Sequence, residues 1–443
     1  MTFSRKAAFR RILSPIVLAA VAGAATVAWQ APAVAQKKEK PAPAAKANYS
    51  KEFIAAYKSY EALSKAATPD VAAMRAALPA LAAAAKTDDD RYAAGQAFVA
   101  AGNAAKDSAL QLQGIDLMME SGKIEAGRAG QIAMIGGQLA YNAKDYAKAR
   151  AYLTKAIERG ETEGDPQGLL AETYFAQNDT AAGLKVMSDA IAARKAAGQP
   201  ISEAWMRRAL ANAYQGKLND EARKWALMYA RDFPNQTSWG DAIAIAINTG
   251  QYQPAEMLDL LRLARRTNTL RTRGMYLEYI DAADARKLPS EVLTVLDAGL
   301  ASKLIDNTLP MVRDARAAAT ARIAADKADL PALQRDANAA SAKLVTVMAA
   351  ADTMLSYGKY AEAESLYAKA AAMPGANVPL VLTRQGIAQV EQGKFVEAQA
   401  TFAKVQGVRQ PIANLWALYA AQKAAGTVIA PAPAAAAATG AAN

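Results

Sequence analysis

Five short segments of this chain repeat one another, and their spacing limits the fold more than any other feature. They are Lys144-Asp145-Tyr146-Ala147-Lys148-Ala149, Gly250-Gln251-Tyr252-Gln253-Pro254-Ala255, Gly358-Lys359-Tyr360-Ala361-Glu362-Ala363, Gly393-Lys394-Phe395-Val396-Glu397-Ala398 and, less closely, Gln215-Gly216-Lys217-Leu218-Asn219-Asp220-Glu221-Ala222. Each reads as the end of one helix, a tight turn, an aromatic or leucine, and then the small residue of a second helix. Aligned on that small residue, Ala149, Gly183, Ala222, Ala255, Glu291, Ala363 and Ala398 follow at steps of 34, 39, 33, 36, 72 and 35 residues. A near-constant period of this length means stacked supersecondary units, each burying its face against the next. The step of 72 predicts a degenerate repeat between Asp306 and about Asn338, and the step of 39 a longer link at Ala196-Ala197-Gly198-Gln199-Pro200.

The order of turn, aromatic and alanine at this period resembles the middle of a tetratricopeptide repeat, whose period is 34 residues. Twelve residues before each aligned position the family places a small residue, where its two helices cross. Gly137, Ala171, Ala351 and Gly386 match; Leu210, Ile243 and Tyr279 do not, and Glu291 departs at the second-helix place. Trp239 matches the first-helix tryptophan, and Pro234 and nearly Pro374 the closing proline. The resemblance covers about residues 125–426. It implies an all-α solenoid of about seven to eight helical hairpins with an extended concave surface. It also implies partner contacts on the inward faces of first helices, at Tyr141, Asn142, Glu172, Phe175, Arg207, Tyr214, Asn248, Tyr276 and Asp352. The competing reading is that several of these pack between neighbouring first helices.

Residues 49–124 are predicted as helices over 50–66, 71–85, 91–105 and 108–120, atypical hairpins that cap the stack. Thr68-Pro69-Asp70 and Asp329-Leu330-Pro331 read as N-caps with proline in the first turn. Pro254 and Pro289 fall where new helices begin, and Gly122, Gly160, Gly216, Gly358 and Gly393 where helices stop.

The ends have a different composition. Arg5, Lys6, Arg10 and Arg11, an apolar run from Ile12 to Trp29, and Ala33-Val34-Ala35 make residues 1–35 a signal peptide cleaved before Gln36. An uncleaved anchor is the alternative, and Ser4-Arg5-Lys6 with Phe9 approximates a twin-arginine signal. Residues 36–48 read as a basic Pro/Ala linker, and residues 427–443 as a Pro/Ala-rich tail without structure. Of the formal net charge of +11, the signal removes four positives and the linker a net three, leaving +4 between Tyr49 and Gly426. That is no nucleic-acid footprint. The predicted location is periplasmic or secreted.

With no cysteine and no histidine, the chain lacks a thiol nucleophile, the usual general base and the commonest metal ligands. No catalytic residue, metal site or cofactor is assigned. Asp88-Asp89-Asp90 lacks the other ligands and the glycine of a calcium loop, so with Thr87 it reads as a helix cap. Arg262, Arg265, Arg266, Arg271 and Arg273 form the densest charge; a solvated face is weighed against an anion-binding patch. Trp205, Trp225, Trp239 and Trp416 are predicted to be core. The resulting expectation is a non-catalytic interaction module of the cell envelope that binds a protein or peptide partner in the groove. The alternatives are an accessory protein binding envelope polysaccharide through arginines and aromatics, and an unrecognised hydrolase.

Overall fold

Side-chain caps set many of the helix starts in the computed structural model, which describes residues 47–431. The signal peptide, nearly all of the linker and the tail beyond Pro431 lie outside the described residues. Four helices come first: α1 (Lys51–Ser64), α2 (Val71–Ala84), α3 (Asp88–Ala105) and α4 (Ser108–Glu120). Five hairpins follow: α5 (Ala126–Asn142) with α6 (Tyr146–Glu158), α7 (Pro166–Phe175) with α8 (Thr180–Ala196), α9 (Glu203–Gln215) with α10 (Asn219–Asp232), α11 (Gln236–Thr249) with α12 (Pro254–Arg266), and α13 (Arg273–Ala283) with α14 (Pro289–Ala301). A long α15 (Pro310–Asn338) leads to α16 (Leu344–Ser356) with α17 (Tyr360–Ala371) and α18 (Val378–Glu391) with α19 (Phe395–Phe402). A 3-10 turn, Gly407–Arg409, then enters α20 (Gln410–Ala424). The described residues contain no strand; a single parallel bridge joins Asn235 and Ala430. The fold is thus an all-α solenoid of paired helices with the character of tetratricopeptide-like repeats.

The acidic run is a cap, as expected. Thr87 Oγ1 accepts from Asp90 N at 3.1 Å, and the Asp90 carboxylate returns to the Thr87, Lys86 and Ser50 amides. Such a reciprocal box satisfies amides that a helix N-terminus otherwise leaves unpaired. In five of the seven pairs the chain passes through one left-handed residue two places before the second helix. Glycine fills it at Gly358 (φ 76°) and Gly393 (φ 78°), and lysine or asparagine at Lys144, Asn178 and Lys217. In the α9–α10 turn the left-handed residue is therefore Lys217, one position beyond the expected stop at Gly216.

Small residues bring the paired helices together where the repeat pattern requires. A Cβ on Gly137 would stand 2.8 Å from the Leu153 side chain, and one on Gly386 2.5 Å from Phe402. Ala149, Ala222, Ala363 and Ala398 are fully buried opposite. The hairpins α11–α12 and α13–α14 depart from this register. Ala255 is only partly buried, and Glu291 holds an ion pair instead of a crossing point.

Four sequence expectations are corrected. The degenerate repeat is one uninterrupted helix of 29 residues. Its segment is rich in alanine and charged residues and holds no glycine to end a first helix. Pro331 consequently lies inside α15, on its exposed side, and Asp329-Leu330-Pro331 caps nothing. At α2 the cap is Asp70, accepting from Ala73 N at 2.9 Å, rather than Thr68. The tail is anchored further than Thr427: Ala430 N donates to Pro234 O at 3.0 Å, and Gln236 N to Ala430 O at 2.8 Å.

The chain after α15 doubles back. The first helices α16, α18 and α20 pack on the second helices α14, α12 and α10, so that residues of α8–α12 and α16–α20 share one apolar core. The α12 helix is covered on every side from Leu258 to Ala264. Its acid and arginine are buried with it. Asp259, with no exposed surface, accepts from Arg262 Nη1 at 2.8 Å, Arg409 Nη1 at 2.7 Å and Arg384 Nε at 3.3 Å. Trp416 Nε1 donates to the Asp259 carbonyl at 2.9 Å. Arg262 makes a forked pair with Glu291 at 2.8 and 2.7 Å, and Tyr279 donates to the same carboxylate. Burial alone would raise the Asp259 carboxyl, but Arg384, Arg262 and Arg409 outweigh it and hold it below its ordinary value.

Candidate partner-binding face

The first helices of the N-terminal half have no such cover. Along them runs a line of half-buried charges. Glu172 on α7 meets Arg208 Nε on α9 at 3.2 Å. Asp241 on α11 lies 3.7 Å from Arg271, which leads into α13. Arg207, exposed on α9, lies within electrostatic reach of Asp241, and Tyr141 on α5 within reach of Glu172 and Arg208. Burial pushes both carboxyls above their ordinary values, Arg208 partly opposing it at Glu172, and Arg271 and then Arg207 at Asp241. The face therefore carries carboxylates that their own neighbours leave incompletely compensated.

The nine expected groove residues fall into three groups. Asn142, Arg207, Tyr214 and Asn248 are exposed, Tyr214 by 41%. Tyr141, Glu172 and Phe175 are half-buried; the Phe175 ring lies against Gly183 of the paired helix and is a packing residue. Asp352 and Tyr276 are not free to meet a partner. Asp352 accepts from Tyr367 Oη and Arg384 Nη1, both at 2.6 Å, beside the covered α12. Tyr276 is 5% exposed in the core between α13, α14 and α15. Its ring lies beside Gly299 of the paired helix, so the place expected to face the groove is turned toward α14.

The five arginines do not make a patch. Arg262 is buried with Glu291 and Asp259, Arg266 pairs with Glu391, Arg271 with Asp241 and Arg273 with Asp306. Arg265 has its Nε buried. Four of the five charges are therefore spent on separate carboxylates of different elements. Trp205, Trp225, Trp239 and Trp416 are core residues, as expected. Arg208 and Asp241 are the site residues missed in the sequence. Both stand two places before the residue at the helix crossing (Leu210 and Ile243), a register that the small-residue alignment already provided.

No protein-family model matches this sequence, and a search of curated proteins finds no match. Among solved structures the chain is similar to the APC/C hetero-tetramer Cut9–Hcn1, at 12% identity over 75% of this chain and 67% of that one, with a TM-score of 0.23. It is also similar to Naa15/Naa10 bound to HypK-THB, at 12% identity over 82% of this chain and 63% of that one, with a TM-score of 0.24. The fold assignment rests on the helix pairing itself rather than on these superpositions.

Among the described residues no group of three or more aspartates and glutamates could hold a metal ion, and no helix is long and apolar enough to cross a membrane.

Proposed function

We propose that the protein is a non-catalytic interaction scaffold whose partner-binding surface is the first-helix face of α5–α11. The observation that carries this reading is the contrast between two equivalent faces. That of α16–α20 is filled by the chain's own second helices, whereas that of α5–α11 presents Arg207, Tyr214 and half-buried carboxylates to solvent. Tyrosine and arginine are the residue types that most often dominate binding energy at such surfaces.

Affinity capture from an envelope extract tests the reading, comparing the natural chain with an Arg207→Ala, Tyr214→Ala pair. Both residues are exposed, so melting should barely move, while captured partners should fall by tenfold or more. Equal recovery of the same partners by both proteins would remove this face from consideration. The anionic-polymer alternative finds its arginines dispersed, four of the five being held by separate carboxylates. The envelope location is proposed from the basic, apolar and small-residue order of residues 1–35. N-terminal sequencing of the exported protein should then begin at Gln36; an intact Met1 in a membrane fraction would favour the anchor.

A further inference from the structure

The chain contains one acid–arginine pair twice, in the same repeat register. Glu172 follows the small crossing residue Ala171, and Arg208 stands two places before the crossing residue of the next repeat, Leu210. Asp352 follows Ala351, and Arg384 stands two places before Gly386. In both cases the two side chains meet across successive first helices: Glu172 and Arg208 at 3.2 Å, Asp352 and Arg384 at 2.6 Å.

The two copies differ in what lies over them. The Arg384 side chain is 7% exposed because α12 covers it, and its Nε turns to Asp259 of that helix at 3.3 Å. The Arg208 side chain is 29% exposed and faces no third group of opposite charge beyond Glu172. Around Arg208, α9 is low: Ala204 and Ala211, four places before and three after, are exposed and small. At the covered copy the place of Ala211, just after the crossing residue, is held by Ile387, which packs in the core. The cover has a recognisable chemistry. It is a helix that offers one carboxylate to the arginine and sets Leu260, Leu263 and Ala264 into the shared core.

We infer that the Glu172–Arg208 pair is a docking point for a carboxylate carried on an amphipathic α-helix of a partner protein, seated on α9 as α12 is seated on α18. The inference rests on the proposed binding role of the α5–α11 face and names the kind of partner that face takes. Arg208 uses one edge of its guanidinium on Glu172, and the planar fork leaves other N–H groups to receive a second carboxylate. The match is not complete. Arg409, the third arginine on Asp259, has no counterpart at the start of α11, where Asn235 stands; Arg207 is the additional cation next to the open pair instead.

The test uses the full chain and a fluorescent, helix-stapled peptide of the α12 sequence, residues 254–266, beside the same peptide carrying Asp259→Asn. Anisotropy titration should show saturable binding of the aspartate peptide, at least tenfold weaker for the asparagine peptide. Arg208→Ala in the protein should cost a similar factor, with Arg208→Lys restoring only part of it, since a point charge replaces a fork. Circular dichroism of each variant confirms that the helices persist. Equal binding of the two peptides, or undiminished binding by Arg208→Ala, would overturn the docking point while leaving the wider face to the capture experiment. No binding of the aspartate peptide at millimolar concentration would overturn the helical partner. Loss of capture by the Arg207→Ala, Tyr214→Ala pair would still uphold the face in either case.

Discussion

Replacing Asp259 by alanine should cost about 3–5 kcal/mol of stability, among the largest effects available in this chain. The carboxylate is the shared acceptor of Arg262, Arg384 and Arg409, which are all buried. Removing it leaves guanidinium groups without their anion where water does not reach, and stranded charge is costlier than the pair was stabilising. Arg409 is the most exposed to this loss. Its Nη2 has no hydrogen-bond partner, and its Nε, although 3.1 Å from Glu256, is not aligned to donate. Urea unfolding measures the change. A midpoint shift equivalent to less than about 1 kcal/mol, the size of an exposed pair, would mean that the cluster is not structural. The sign of the pH dependence follows from the same geometry. Asp259 and Glu291 are both held below their ordinary values, 3.8 and 4.5, so their contribution is full above those values. It is lost only as the pH falls through the depressed folded-state values.

Trp416→Ala is expected to be comparably severe, at about 3–5 kcal/mol. The indole is wholly buried, stacks near Phe402, meets Tyr419 edge-on and donates to the Asp259 carbonyl. Its removal would open a cavity at the seam between α12 and α20 and take away the second donor to the Asp259 carbonyl, a bond that ties the two helices together. Trp416→Phe keeps most of the apolar volume and should lose roughly half as much. Calorimetry gives the magnitude, and hydrogen exchange the location. Faster exchange in α12, far away in sequence, is the expected signature; exchange confined to α20 would show that the two helices are not coupled.

The hairpins were legible where local chemistry repeats. A turn residue, an aromatic and a small crossing residue recur around Lys144, Gly358 and Gly393, and these fix both helices of a pair without help from elsewhere. The cap at Thr87 was readable in the same way, whereas at α2 the cap was read at Thr68 and lies at Asp70. What stayed hidden depends on contacts between distant parts of the chain. Nothing in a linear pattern joins Asp259 to Arg384 or Arg409, so Arg262 was read as surface charge and Asp352 as a groove residue. The error at Tyr276 has a related origin. The repeat alignment assumed that every first helix turns the same side outward, and at α13 that place faces Gly299 of α14. Arg208 and Asp241 were within reach, because their register is the one that places Arg384.

The enclosure of α12 also sets an order of events during synthesis. The groups that complete its surroundings arrive late: Arg384 follows Asp259 by 125 residues and Arg409 by 150, while Trp416 follows by 157. The pairing of Gln422 with Trp239 spans 183. Contacts of such separation are slow to form, because the intervening chain must be ordered before they reward it. Until the last helix is made, α12 stands half-covered, its stretch from Leu258 to Ala264 open on one side and Asp259 without Arg409, a surface of the kind that chaperones and proteases recognise. A product ending before Arg409 would keep its early repeats and lose the closure of its middle, so the final turn and helix act as a completeness check on everything made before them.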